Sequence, residues 1–244
     1  MTRTVDFYFD YLSPYAYLAW LCLPEVTDPR DVEIVPRPVL FAGLLNHWGQ
    51  LGPAEIPPKG GHVGRDTGRF AALRGIPLRM PRYHPFRPLL ALRVSLAVVS
   101  HDRQKEAITA LFKAGWAEGI DLGDPGDIRK ALNEAGLDGE QLVAAAEESL
   151  AKDTLRMETV AAIGRGVFGI PTMVVEDELF DPDYPGRSLF WGLDQFQYLA
   201  LYLDGKDPLA SDENVALRSV GRAVVRPGSV GRGQGNDGKV MKQS

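Results

Sequence analysis

The sequence predicts an α/β fold in which a small sheet is interrupted by an all-helical insertion. Three observations carry this. The chain opens strand, helix, strand at Val5–Phe9, Pro14–Leu23 and Val32–Pro36, the order of a right-handed βαβ unit. Its middle, from Leu89 to Arg165, has apolar residues at helical spacing and no strand pattern. It then returns to β-branched residues in "GIPTMVVEDELF" and closes on an apolar helix from Leu193 to Asp204.

The first strand, "TVDFYF", runs into "DYLSPYAYLAW". Ser13 is a good N-cap and Pro14 suits the first helical position, where a missing N–H costs nothing. A helix N-terminus also carries partial positive charge and unpaired N–H groups, so Ser13 either only starts a helix or also serves an anion there. The local residues leave both open. The one cysteine, Cys22, falls inside this apolar helix, where a free thiol is usually a small core residue.

From Phe41 to Pro88 the pattern is irregular. "GQLGPAEIPPKGGHVGRD" reads as a long loop, and its Lys59, His62 and Arg65, with Trp48 just before it, favour a functional loop. Helices are then expected at Leu89–Ser100 and at Arg103–Glu118, the latter with Ile108, Leu111, Phe112 and Trp116 on one face. Asp124 caps the next helix, Pro125 opens it and Gly136 stops it. Gly139–Leu150 and Lys152–Arg165 complete the block. Thr172 onwards reads as a β-hairpin turning at Glu176-Asp177. Beyond Asp207 the periodicity ends in a Gly-rich polar segment, expected to be a flexible tail.

Composition narrows the function. With 45% hydrophobic and 24% charged residues the chain is of globular type. A net charge of −5 argues against nucleic acid or an anionic membrane as the main partner. A single cysteine rules out an intrachain disulfide or a dithiol redox pair. No signal-peptide pattern opens the chain and no apolar run is long enough to span a bilayer, so a cytoplasmic protein is expected. None of His47, His62, His84 and His101 stands in a nucleophile-elbow context, so no Ser-His-Asp triad is expected, nor a metal site.

Two distant stretches, "DFYFDYLSPYAYLA" and "GVFGIPTMVVEDELF" followed by "FWGLDQFQYL", resemble the 2-hydroxychromene-2-carboxylate isomerases. These stand with the kappa-class glutathione transferases in the DsbA-like branch of the thioredoxin superfamily. The resemblance extends over about residues 4–205 and includes "LFAGLLNHWGQLGPAEIPPKG". It implies a thioredoxin-like βαβ–ββα core of residues 1–42 and 156–208, a loop and helical insertion domain of residues 43–155, and a tail of residues 209–244. The insertion is expected over the Ser13 end of the sheet.

The resemblance also implies a cofactor and a site. Redox members place a cysteine pair at the first helix N-terminus; the isomerase and kappa branches place a serine there, here Ser13. The sulfur then comes from glutathione, with Ser13 donating to it. The thiolate adds to a conjugated carbonyl compound, a bond rotates, and expulsion of the thiolate completes a cis–trans isomerisation of an aromatic catabolic intermediate. Pro171 matches the family's cis proline, with the Ile170 backbone pairing the cysteinyl part of glutathione. Gly192, Leu193 and Asp194 hold the γ-glutamyl end, the aspartate taking its ammonium; Asp194 is also an N-cap by local rules. Gln50 and Lys59 match an amide and a lysine that hold the cofactor, although the family carries Asn at the first. Trp48 and Tyr83 either line the pocket for a small aromatic or electrophilic substrate or pack between the lobes. The residues Asp181 to Ser188 are an insertion before the last helix and leave both "ELF" and "SLFWG" as candidates for the hairpin end. A homodimer is implied by the family. Two other functions stay open: a kappa-like transferase that keeps the conjugate, and a thioredoxin-fold binding protein without turnover.

Overall fold

The computed structural model describes residues 3–176, 188–211 and 213–214. Its sheet is built from β1 (Arg3–Phe9), β2 (Val32–Pro38), β3 (Thr172–Glu176) and β4 (Leu189–Trp191), in the order β2-β1-β3-β4. β1 pairs parallel with β2 and antiparallel with β3, and β3 pairs antiparallel with β4. β1 is therefore central. Its alternation sends Val5, Phe7 and Phe9 into the main core and Tyr8 into a smaller cluster with Val39, Leu44, Val167 and Val174 on the other face.

Asp6, on the face of Tyr8, is buried and accepts from Arg37 Nε at 2.9 Å and Arg165 at 2.7 Å. One carboxylate thus ties β1 to β2 and to the end of the helical block. Burial, and after it the charge of Asp6, pushes the Tyr8 phenol up to about 12.

The helices are α1 (Pro14–Cys22), α2 (Pro24–Thr27), α3 (Phe41–Trp48), α4 (Pro57–Arg74), α5 (Leu89–Val94), α6 (Ala97–Ser100), α7 (Gln104–Phe112), α8 (Pro125–Glu134), α9 (Gly139–Glu147), α10 (Ser149–Gly164) and α11 (Phe196–Leu203). Cys22 is buried and burial raises its thiol, as a small core residue requires.

The long loop expected after Phe41 is instead largely helical. Gly60, Gly61, Gly64 and Gly68 each cost about 1 kcal/mol relative to Ala in a helix interior, and they misled the sequence reading. Tertiary contact outweighs them. α4 buries Thr67 and Ala71, Tyr15 donates to Asp66 Oδ2 at 2.8 Å, and Tyr17 donates to the Pro77 carbonyl just beyond it at 2.8 Å. Lys59 consequently sits in the first turn of a helix, not in a loop.

The expected helix Leu89–Ser100 is broken: Leu96 is extended (ψ 140°) and separates α5 from α6. This break carries no proline or glycine, so the apolar period gave no notice of it. The division expected between Gly139–Leu150 and Lys152–Arg165 is present but falls earlier, at Glu148, which is extended (ψ 156°) and separates α9 from α10. Arg103–Glu118 is likewise divided into α7 and a π-helical turn, Lys113–Glu118.

The hairpin turn expected at Glu176-Asp177 is also corrected. β3 continues through Glu176, and Val174 pairs with Leu189, so "SLFW" supplies the returning strand. The "DELF" segment, the insertion through Arg187, and most of the tail of residues 209–244 lie outside the described residues.

The helical block does cover the Ser13 end of the sheet. Phe112 of α7 meets Tyr11, Phe9 and Tyr17 at ring-centroid distances of 4.6, 5.4 and 6.1 Å. Trp116 is buried and donates through Nε1 to the Tyr11 carbonyl at 2.8 Å. The main apolar core runs without interruption from the sheet into this block.

The Asp6 cluster gives a first expectation. Removing a buried ion-pair partner leaves the opposite charges uncompensated and costs about 3–5 kcal/mol. With Arg37 and Arg165 partly exposed, Asp6→Ala should cost about 3 kcal/mol, read from urea unfolding at pH 7. A loss under 1 kcal/mol would mean that the cluster does not fasten the sheet to α10.

Candidate active site

The site is built on residues Asp10–Ser13, where β1 turns into α1. Asp10 is fully buried. Its Oδ1 accepts from the Leu12 amide at 3.0 Å and its Oδ2 from the Phe41 amide, the first residue of α3, at 2.9 Å. Its carbonyl accepts from the Ser13 amide at 3.2 Å. The Tyr11 carbonyl is taken by Trp116, and the Tyr11 hydroxyl shares a hydrogen bond with Ser95. The Leu12 carbonyl lies 2.9 Å from His84 Nε2. A carbonyl only accepts, so His84 donates from Nε2. Every residue of the turn is thus held by a polar contact.

Ser13 ends the turn in extended conformation (φ −100°, ψ 115°) and caps α1 as expected, with Oγ accepting from the Ala16 amide at 3.1 Å. Among the described residues, no acceptor takes the hydrogen of its hydroxyl.

The Ile170–Pro171 peptide bond is cis, as the sequence led us to expect; His84–Pro85 is cis as well, which it did not. Thr172 pairs with Tyr8, so Pro171 lies level with the end of β1, where the chain turns towards Ser13. No hydrogen bond engages the Ile170 amide among the described residues. The Pro171 carbonyl accepts from the Gly192 amide at 3.0 Å, and the turn Leu193–Gln195 packs on α1. Asp194 is close enough for its charge to act on the Tyr15 hydroxyl, which burial, the hydrogen bond to Asp66 and both carboxylates push up. Ser13, Ile170, Pro171, Gly192, Leu193 and Asp194 therefore gather at one end of the sheet.

One detail differs. Asp194 is not an N-cap: Gly192 holds that position, with φ 106°, and Asp194 lies inside the turn, exposed and bonded to Gln195. Glycine suits this position because φ 106° is a conformation that L side chains rarely adopt; a Cβ would also displace the Asp194 carboxylate, whose Oδ1 would stand 2.5 Å away.

The remaining expected residues are less close-knit. Trp48, 43% exposed, donates through Nε1 to the Val167 carbonyl at 3.0 Å, which leans α3 on the segment leading to Ile170. Gln50 closes α3 by donating its backbone amide to Leu45, and its side chain is exposed. Lys59 is exposed, without an ion pair among the described residues. Tyr83, 57% exposed, lies against Arg82 and next to His84. No described contact joins these four side chains to Ser13.

Sequence reasoning missed Asp10, His84 and Asp66. Asp10 had a readable signal: an acid two residues before a turn amide forms an Asx-turn. Burial pushes its carboxyl from 3.8 up to about 7, against the lowering effect of the Phe41, Leu12 and Tyr11 amides. His84 and Asp66 act across the fold and carry no local signal.

With this geometry in place, comparison with known proteins is informative. The model of the DSBA-like thioredoxin domain matches residues 4–204. The chain belongs to the DsbA-like thioredoxin family. It is 31% identical over 205 residues to the 2-hydroxychromene-2-carboxylate isomerase of Sphingobium xenophagum, covering 83% of this chain and 99% of that protein. It is 27% identical over 217 residues to human glutathione S-transferase kappa 1, covering 84% and 93%. A solved 2-hydroxychromene-2-carboxylate isomerase superposes with a TM-score of 0.68 at 26% identity, covering 88% of this chain and 98% of that one. These DsbA-like relatives are enzymes, isomerases and transferases, and this chain too is an enzyme. Among its described residues, no helix is long and apolar enough to cross a membrane.

Two expectations follow from the site. Gly192→Ala forces an L side chain into positive φ and onto Asp194, which should cost about 1–3 kcal/mol and shift the Leu193–Gln195 turn; thermal unfolding and the fluorescence of neighbouring Trp191 would report it. Unchanged stability would mean that the turn tolerates a Cβ. For Asp10, the folded carboxyl is raised, so its stabilising effect is complete below about pH 3.8 and is lost as pH rises towards about 7. That interval corresponds to about 4 kcal/mol. Relative to Asp10→Asn, the wild type should weaken by up to that amount between pH 4 and pH 8 in urea unfolding. Parallel pH profiles for the two proteins would show that Asp10 ionises normally.

Proposed function

We propose that the chain is a glutathione-dependent isomerase of the 2-hydroxychromene-2-carboxylate isomerase type, acting on a small unsaturated intermediate of aromatic catabolism. The observation that carries this reading is the Ser13 hydroxyl, held at the N-terminus of α1 with its hydrogen uncommitted among the described residues, in a chain whose one thiol is buried elsewhere. Such a group suits a sulfur anion brought in from outside.

The residues fit glutathione in kind. The Ile170 amide, unengaged among the described residues, suits the cysteinyl carbonyl, Asp194 is an exposed carboxylate suited to the γ-glutamyl ammonium, and Lys59 is a cation suited to the glycine carboxylate. When bound, glutathione supplies a thiolate able to add reversibly to a conjugated carbonyl. Ser13 donates to that sulfur, and the α1 N-terminus adds favourable partial charge. Pro171, just before β3, would stand beside the sulfur, Gly192 and Leu193 would shape the γ-glutamyl seat, Gln50 would hold the cofactor from the end of α3, and Trp48 and Tyr83 would line the side from which the electrophile arrives.

A kappa-like transferase is the second reading, favoured by the match to the human kappa enzyme along most of this chain. It uses the same groups and differs in releasing the conjugate. Product analysis separates the two: an isomerase returns glutathione undiminished.

Ser13→Ala tests the reading. Loss of an N-cap costs about 1 kcal/mol, so the fold should persist. Glutathione should still bind through Ile170, Asp194 and Lys59. A hydrogen bond to a charged group contributes on the order of 1.5–3 kcal/mol, so the bound thiol should titrate about one to two units higher, as read from thiolate absorbance. Turnover should fall at neutral pH and partly recover in alkali. Wild-type activity at every pH would reduce Ser13 to a helix cap.

A further inference from the structure

We propose that Asp10 is a positioning residue whose ionised side chain sets the Ser13 hydroxyl, by fixing the turn that delivers it and tying that turn to the first residue of α3. This rests on the reading of Ser13 given above.

The two backbone donors at Leu12 and Phe41 each need an acceptor, and they lie on separate oxygens of one side chain. A carboxylate is the only side chain of that length with two acceptor oxygens and no donor. Asparagine would turn an NH2 towards one of the amides, and a protonated acid would carry an O–H that needs an acceptor of its own. The ionised form is the one that matches two donors with acceptors alone.

What Asp10 joins gives the contact its consequence. On one side the Leu12 amide, together with the Ser13 amide on the Asp10 carbonyl, defines the turn into α1. On the other side the Phe41 amide begins α3, which carries Trp48 and leads through Gln50 towards Lys59. One side chain thereby registers the two walls of the proposed site against each other.

No cation pairs with Asp10 among the described residues. Tyr11, bonded to Ser95, is the titratable group next to it on its own turn, and His84, bonded to the Leu12 carbonyl, faces the turn from the inserted region. Across the sheet, Asp6 is occupied by Arg37 and Arg165, with Glu158 beyond Arg37. His47 lies at the far end of α3, on Trp48.

The test has two arms. In the wild type without glutathione, the amide resonances of Leu12, Ser13, Ala16 and Phe41 are followed by NMR from pH 5.5 to 8.5. They should move together with one midpoint near neutrality, and the movement should be absent in Asp10→Asn. In the second arm, Asp10→Asn is mixed with glutathione. Its affinity should stay within about threefold of wild type, while the thiolate fraction and kcat fall about tenfold, the value of one charge-assisted hydrogen bond, with KM for the electrophile unchanged. The neutral inflection on the acid side of the wild-type pH–rate profile should vanish with it.

Independent movement of the four amides, or none, overturns the proposal even if the variant does not fold. Wild-type thiolate formation in a folded Asp10→Asn also overturns it. If the wild type fails to bind glutathione, the function proposed above falls, and the first arm still decides whether Asp10 sets Ser13.

Discussion

The structure depends on how one buried carboxylate and three backbone carbonyls hold the turn from β1 into α1. Asp10 receives the amides of Leu12 and Phe41, and its own carbonyl receives that of Ser13. The carbonyls of Tyr11 and Leu12 receive Trp116 and His84 from the inserted region. Buried backbone groups without partners are costly, so each of these contacts removes a penalty as well as fixing a direction. Strand, helix and insertion meet at four residues, and the hydroxyl proposed to meet the cofactor sulfur stands at the end of them.

This arrangement weighs function against stability. An anion placed among apolar side chains without a cation destabilises the fold at neutral pH, and Asp10 shows it in its raised carboxyl. Asp6, only four residues earlier, is equally buried but paired with two arginines. The contrast separates two uses of acids, one on β1 and one in the turn that follows it. Asp6 fastens the sheet to the helical block; Asp10 orders a turn, and its cost is offset by the core that surrounds it. Phe112 and Trp116 close that core directly over the turn.

Much of this was legible in the sequence. Apolar runs in the order strand, helix, strand located β1, α1 and β2, helical spacing located the block, and Ser13-Pro14 marked the start of α1 by cap chemistry alone. The resemblance in "GIPT" and "WGLDQF" led to Pro171 and to the Gly192–Asp194 turn, which the fold brings to one end of the sheet. The failures have physical causes. α4 hid behind four glycines because its helicity is imposed by Tyr15, Tyr17 and the buried Thr67 and Ala71, all tertiary effects. The break at Leu96 uses an ordinary residue in extended conformation. The returning strand at Leu189–Trp191 was ambiguous because "ELF" and "SLFW" have the same apolar character, and only pairing with β3 distinguishes them. His84 was set aside for want of a catalytic motif, yet it matters through a carbonyl 72 residues away in sequence.

The central claim is that the Asp10–Ser13 turn is rigid before any ligand arrives. Native-state hydrogen exchange of the free protein at pH 8, where Asp10 is ionised, tests it most directly. The Leu12, Ser13 and Phe41 amides should exchange only through global unfolding, with the same free energy and denaturant dependence as amides in the middle of β1. Exchange of these three through a local opening, at free energies well below that of the sheet, would contradict the account.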